Sequence, residues 1–248
     1  MAISFLPYIE KNAQNRYTRT ILQISGKLDS ANDSGGQMMR KARLILAAAA
    51  AGALLTGCSG GKSAFSPQQS CVYVSGDGTL RSALVLESEE DFEESELKEF
   101  LEGAVSRFNE KSGGDGEEGP VTLASCTADQ GVMTAVFEYR DADALVSFRQ
   151  SDENEDNSNT FSNIEVKSAA EAGTAGWLSG EIIKADGSQA SGLDAAKEKR
   201  AAAVSVQGGG VLETEGELLY VSAGAQILDS TSVKLPDGET SVVVFKEK

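Results

Sequence analysis

The side chains that could do chemistry are defined first by a gap: 248 residues without one histidine. That excludes Ser-His-Asp and Cys-His nucleophile systems and histidine-ligated zinc. Four short stretches remain to be weighed. Gly61-Lys62-Ser63 ends like a phosphate-binding loop, but the first glycine of that pattern falls on Thr56 and an Ala-rich run precedes it instead of a buried strand. Ser95-Glu96-Leu97-Lys98 matches the serine/lysine pattern of penicillin-binding enzymes, without the two companion motifs. Ser95 is better read as a helix cap and Lys98 as a solvated charge. Asp152, Asn154, Asp156, Ser158 and Thr160 recur at EF-hand spacing. The sixth position is Asn157 rather than glycine and the twelfth is Asn163 rather than glutamate, so a polar surface loop is expected, with a weak calcium site as the alternative. The tract Glu87, Glu89, Glu90, Asp91, Glu93, Glu94, Glu96 and Glu99 reads as a solvated helix N-terminus. No metal or cofactor is expected.

The fifth stretch concerns Cys58. Arg40, Lys41 and Arg43 precede twelve mostly apolar residues, Leu44 to Leu55, and small residues then lead to the cysteine. This is the layout of an export signal, and the run is too short to span a bilayer, which takes about 20 residues. Leu55-Thr56-Gly57-Cys58 resembles the bacterial lipobox. The resemblance implies a lipid on the Cys58 thiol, cleavage before it, and a body held on the outer face of the cytoplasmic membrane. Several acyl chains anchor durably because each buried CH₂ contributes about 0.8 kcal/mol. A signal starting at Met38 or Met39 makes residues 1–37 an expected over-extended gene start, residues 38–57 the signal, and residues 58–70, rich in Gly, Ser, Pro and Gln, a flexible tether.

Charge agrees with a soluble body. Residues 1–57 hold seven basic and three acidic residues, which leaves 15 basic and 35 acidic in residues 58–248. With a pI near 4.5, the chain is not expected to bind nucleic acid, whose phosphates need Lys and Arg. Nor does charge hold it to anionic lipid.

Periodicity then lays out residues 71–248. "CVYVSGDGTLRSALVL" alternates around a Gly/Asp turn and predicts a hairpin. Leu97, Phe100, Leu101, Ala104, Val105 and Phe108 recur at helical spacing and predict one apolar stripe, with Ser88 or Ser95 as the cap. "VTLASCTADQGVMTAVFEYR" predicts two strands about an Asp129-Gln130-Gly131 turn, and "DADALVSFRQ" a short helix begun by Asp141 or Asp143. The later chain reads as short strands punctuated by Gly and Asp-Gly. The expected class is α+β: a β-β-α-β-β-α first part and a mostly β second part. A single domain over 71–248 is favoured, and a subdomain break near 150–160 is the alternative.

Cys71 and Cys126 remain once Cys58 carries lipid. A disulfide between them would close a loop of about 54 residues and stabilise by about 4 kcal/mol; two buried thiols are the other reading. The lipobox, "LKEFLEGAVSRFNE", "VTLASCTADQGVMTAVFEYRDADALVSF" and "LLYVSAGAQILD" together resemble a family of uncharacterised lipoproteins of clostridia-type bacteria. That resemblance implies surface anchoring and an α+β body, and brings no activity. The expected role is therefore a membrane-anchored, non-catalytic domain that meets an envelope or extracellular partner. A carboxylate-based envelope hydrolase is the alternative.

Overall fold

Alternation of apolar residues builds the first hairpin. The computed structural model describes residues 65–88, 93–112, 119–154, 156 and 158–247. Strands β1 (Cys71–Val74) and β2 (Leu80–Glu87) pair antiparallel, with Cys71 opposite Ala83 and Val74 opposite Leu80. Helix α1 (Glu94–Lys111) buries Ala104, Val105 and Phe108 and packs Leu97 and Leu101 beside them. Phe100, expected in that stripe, is 43% exposed. At 100° per residue it falls on the margin of the apolar face, outside the arc the core can cover. Neither Ser88 nor Ser95 caps the helix. Glu93 stands at the cap position with no side-chain bond, and Glu94 and Glu96 meet the positive end of the helix dipole instead.

Strands β3 (Val121–Asp129) and β4 (Val132–Tyr139) follow, joined through Gln130 (φ 50°) and Gly131 (φ 77°). Two successive left-handed residues match the strand twist, as a type I′ turn does. Helix α2 (Ala142–Gln150) starts at Asp141, whose carboxylate accepts from Ala144 N at 2.8 Å. The second half is mostly strand. It holds β5 (Asn163–Ser168), β6 (Ile182–Lys184), β7 (Gln189–Ala190), β8 (Ala201–Gln207), β9 (Gly210–Thr214), β10 (Leu218–Ser222), β11 (Gln226–Ile227), β12 (Ser232–Leu235) and β13 (Thr240–Lys246). Short helices α3 (Ala169–Thr174) and α4 (Gly192–Ala195) and a 3₁₀ turn (Trp177–Ser179) lie between them. The fold is α+β.

These strands form two sheets. The first runs β11-β12-β9-β1-β2-β4-β3 and the second β5-β8-β13-β10-β6-β7. One core lies between their inner faces. It joins Val72, Val74 and Leu84 of the first sheet to Val204, Val243 and Phe245 of the second, and closes over Phe108 of α1 and Phe148 of α2. Phe148 meets the Phe108 ring edge-on at 5.1 Å and the Phe137 ring at 5.4 Å. The second sheet is apolar on both faces. Val242 and Val244 alternate with Val243 and Phe245, and pack with Ala201, Ala203, Ala169 and Ala172 under α3 and α4. Alanine at these places lets a helix approach the sheet closely.

The long edge strand β3 is closed by α1. Asn109 Nδ2 donates to Val121 O at 2.8 Å and its Oδ1 accepts from Val121 N at 3.2 Å, so one side chain supplies the bonds a neighbouring strand would.

The chain changes sheets repeatedly in its last third. β8 belongs to the second sheet, β9 to the first, β10 to the second, β12 to the first and β13 to the second. The β8–β9 passage takes only Gly208 and Gly209. Gly208 has φ 104° and a Cβ there would strike Thr160 O; Gly210 has φ 143° and its Cβ would lie 2.6 Å from Asn159 Cβ. Thr160 N donates to Gly209 O at 2.7 Å, Gly209 N donates to Thr160 Oγ1 at 2.8 Å, and that hydroxyl donates to Asp237 at 2.7 Å. Residues Ser63–Lys248 form one compact unit.

Gly208→Ala combines a backbone clash with a left-handed φ. It is expected to destabilise the body by about 2–4 kcal/mol, read as a lower urea midpoint with an unchanged slope. An unchanged midpoint would show that the corner relaxes freely.

Candidate functional site

A cleft of about 530 Å³ opens on the outer side of the second sheet, where α3, the 3₁₀ turn and α4 meet. Local sequence builds it. Ser168 and Glu171 form a reciprocal capping box at the start of α3, and Ser191 accepts from Asp194 N at the start of α4. Gly176, at φ 81°, turns the chain between α3 and the 3₁₀ turn. The lining is small and uncharged, from Ala170, Gly173 and Thr174 on one side to Ser191, Gly192 and Ala196 on the other. Leu193 stands at its rim, 73% exposed. Lys167 lies over the ring of Trp177, the chain's one tryptophan, at 4.1 Å.

The cleft's hydroxyls are already engaged. Thr174 donates to Ala170 O, Ser179 to Gly176 O, and Ser191 to the Asp194 carboxylate. No histidine, lysine or carboxylate lines the cleft to activate them. It offers shape and apolar surface rather than acid, base or nucleophile.

The perturbed titratable groups lie elsewhere. Asp156 is 8% exposed, and burial pushes its carboxyl up against the pull of Ser158 and the Arg149 charge. Ser158 N donates to it at 2.8 Å, and its own N donates to Asn154 Oδ1 at 2.8 Å. The Asn154 and Asp156 oxygens are thus turned to the loop's own backbone, and Thr160 is taken up by Asp237. Glu153 receives both Arg107 and Lys111 at 2.7 Å, and these cations hold its carboxyl low. Among the described residues no group of three or more Cys, Asp or Glu could hold a metal.

Cys71 and Cys126 are free, buried thiols, not the disulfide weighed from their even number. Register explains it. Cys71 pairs with Ala83, Ala83 with Val136 and Val136 with Ser125, all on the outer face of the first sheet. Cys126 pairs with Ala135 on the inner face, beneath Glu94, Lys98 and Glu102 of α1. Two strands separate β1 from β3, so the cysteines stand about 14 Å apart with side chains on opposite faces. A bridge needs Cα atoms within about 7 Å. Cys71 Sγ instead donates a hydrogen bond to Glu213 Oε2 at 3.8 Å. Burial foremost, then the Glu213 charge, pushes the Cys71 thiol far up; burial and Asp229 raise Glu213 in turn. A thiol so held is no nucleophile.

Two polar pairs had no signal in the sequence. Tyr139 and Ser82 share a buried hydrogen bond at 2.7 Å between neighbouring strands. Tyr220 donates to Glu198 at 2.9 Å, and burial with that carboxylate pushes its phenol up to about 12. Ser82, Tyr139 and Tyr220 read as ordinary strand residues along the chain; strand pairing brings Ser82 to Tyr139, and the segment after α4 brings Glu198 to Tyr220. Of the other residues singled out, Lys98 pairs with Glu102 at 3.9 Å, and Glu94 accepts from Ala128 N at 3.2 Å. Cys58, Glu89, Glu90 and Asp91 lie outside the described residues.

Asp156 generates a pH prediction with a defined sign. Its folded pKa lies above the unfolded value of about 3.9. The folded state therefore gains relative stability as pH falls through the folded pKa, and that gain is complete below the unfolded one. Asp156→Asn keeps an accepting oxygen without the charge. It is expected to be more stable than the parent chain at pH 7 and to lose that advantage towards pH 4, in urea titrations at each pH. An equal offset at both values would sink the assignment. In denaturant without reductant, Cys71 and Cys126 are both expected to react with a thiol reagent.

Among the described residues no helix is long and apolar enough to cross a membrane. No family model, curated protein or solved structure matches this chain.

Proposed function

We propose that this chain is a bacterial lipoprotein anchored through Cys58 on the outer face of the cytoplasmic membrane, carrying a non-catalytic domain that meets an envelope or extracellular partner. One observation carries the reading: the ordered run of basic residues, apolar segment, Leu55-Thr56-Gly57 and cysteine at residues 40–58, followed within seven residues by packed structure at Phe65. The membrane attachment is the lipid on Cys58, since the acidic body is not drawn to anionic head groups. The body it holds is a β-β-α-β-β-α first part joined to the strand-rich second part. The uncharged cleft beside Leu193 supports contact rather than catalysis. A carboxylate-based hydrolase would need two carboxylates facing each other across a cleft, and none lines this one.

The test is a cell expressing the chain in the presence of an alkyne fatty acid. The parent chain is expected to take up label and to yield an N-terminal peptide beginning at a diacylglyceryl Cys58. Cys58→Ser is expected to stay unlabelled and uncleaved. A labelled serine variant, or a mature chain beginning elsewhere, would overturn the reading.

A further inference from the structure

Four large apolar side chains are exposed among the described residues: Phe100, Val132, Leu193 and Leu228, at 43%, 37%, 73% and 38%. Three stand beside carboxylates. Phe100 follows Glu99, Val132 is in register with Glu87 and Asp129, and Leu228 precedes Asp229. Leu193 differs. The Asp194 carboxylate next to it accepts from the Ser191 hydroxyl at 2.8 Å, and the cleft at its foot is uncharged. Its position is also fixed. Ser191 caps α4, Ala195 is fully buried, and Gly192 presses the turn against the 3₁₀ segment, where a Cβ would strike Leu178 O. Two residues in a helix turn through about 200°, so burying Ala195 sends Leu193 outward. A Cβ on Gly173 would lie 2.6 Å from Ala196 Cβ, so the small lining residues serve the packing of α3 on α4. There remains a fixed leucine beside an uncharged hollow of about 530 Å³. Knob and hollow side by side are what a two-fold contact between identical surfaces needs.

Charge selects the same surface. Residues 161–207, which carry the cleft, hold five basic and six acidic residues. Of the 15 basic and 35 acidic residues over 58–248, ten and 29 therefore lie elsewhere. Two copies so charged repel each other over most of their surface. At physiological salt that repulsion fades over about 8 Å, so the charges at the contact decide. Beside the cleft both signs are present. Lys167 lies just before α3 and Glu171 within it; Asp194 lies within α4 and Lys197 just after it. A two-fold rotation can set each sign on one copy against the other sign on its partner. A basic partner would be drawn instead to the acidic remainder of the body.

We infer that the α3–α4 face is a contact between two copies of this chain, in which Leu193 of each copy enters the cleft of the other. The contact lies wholly within the unit Ser63–Lys248 and does not depend on the Cys58 anchor. Burying one leucine strengthens such a contact about ten- to a hundredfold.

The test uses the full chain in two differently tagged forms expressed in one cell. One form carries Leu193→Cys and the other Ser179→Cys, a position that lines the cleft. Oxidation with copper phenanthroline is followed by peptide mass spectrometry, which separates this bridge from any made by Cys58, Cys71 or Cys126. A disulfide between positions 193 and 179 is expected at a yield about tenfold or more above that of a control pair. The control joins Leu193→Cys to Lys234→Cys, an exposed position of β12 in the first sheet. Equal yields overturn the inference. Without the added cysteines, one tag is expected to retain the other, and Leu193→Asp in both forms to cut that retention about tenfold or more at an unchanged urea midpoint. Retention that survives Leu193→Asp puts the contact on another surface and overturns the inference. A cysteine at 193 that bridges only to a different protein gives the cleft to a foreign partner and overturns it as well.

Discussion

The corner at Gly208-Gly209-Gly210 is the constraint on which the rest of the body depends. In these residues the chain leaves one sheet and enters the other, and Asn159, Thr160 and Asp237 close on it from outside. Side chains are excluded because the backbone of another segment occupies their volume. Backbone bonds that a strand would satisfy along its ladder are met by Thr160 and by the carbonyl of Glu239. A buried corner with unpaired amides would cost what each lost bond costs, about 1–3 kcal/mol. Glycine solves the steric problem and the Thr160–Asp237 pair the polar one.

The two sheets follow from that stitching. β9 and β12 pair in the first sheet while β8 and β13 pair in the second, so the sheets cannot separate without breaking both ladders. β9 also pairs in parallel with β1, which ties the last third of the chain to the first strand of the body. The described chain therefore enters at Phe65 and Ser70 against a central strand flanked on both sides. An edge strand would peel more readily, because its bonds would break one after another.

Parts of this were legible along the chain. Alternation marked the β1–β2 hairpin, and Asp129-Gln130-Gly131 marked the β3–β4 turn, because those signals are carried by neighbours in sequence. Asp141 declared its helix through a capping side chain three residues from its partner amide. Phe100 misled, since periodicity reports which residues are apolar and not how wide an arc the core can cover. Gly208 to Gly210 read only as punctuation. What requires them, the Asn159–Phe161 segment, lies some 50 residues earlier. The small helix α4 and the strand β7 are held by contacts across the second sheet, and four or two residues are too few to show a period.

The candidate site divides the same way. Absence of histidine, the acidic balance and the ordered residues before Cys58 are properties of composition and of local order, and the amino-acid sequence determines them without reference to any fold. The fate of Cys71 and Cys126 was decided by tertiary structure alone. Both lie in strands, and their even number invites a bridge. Strand order places two strands between them, and register sends their side chains to opposite faces, where no covalent bond can span. At the EF-hand spacing, too, the arrangement of the oxygens was decided by packing. Whether oxygens converge on an ion or on their own backbone depends on how the loop is packed, and burial of Asp156 turned them inward.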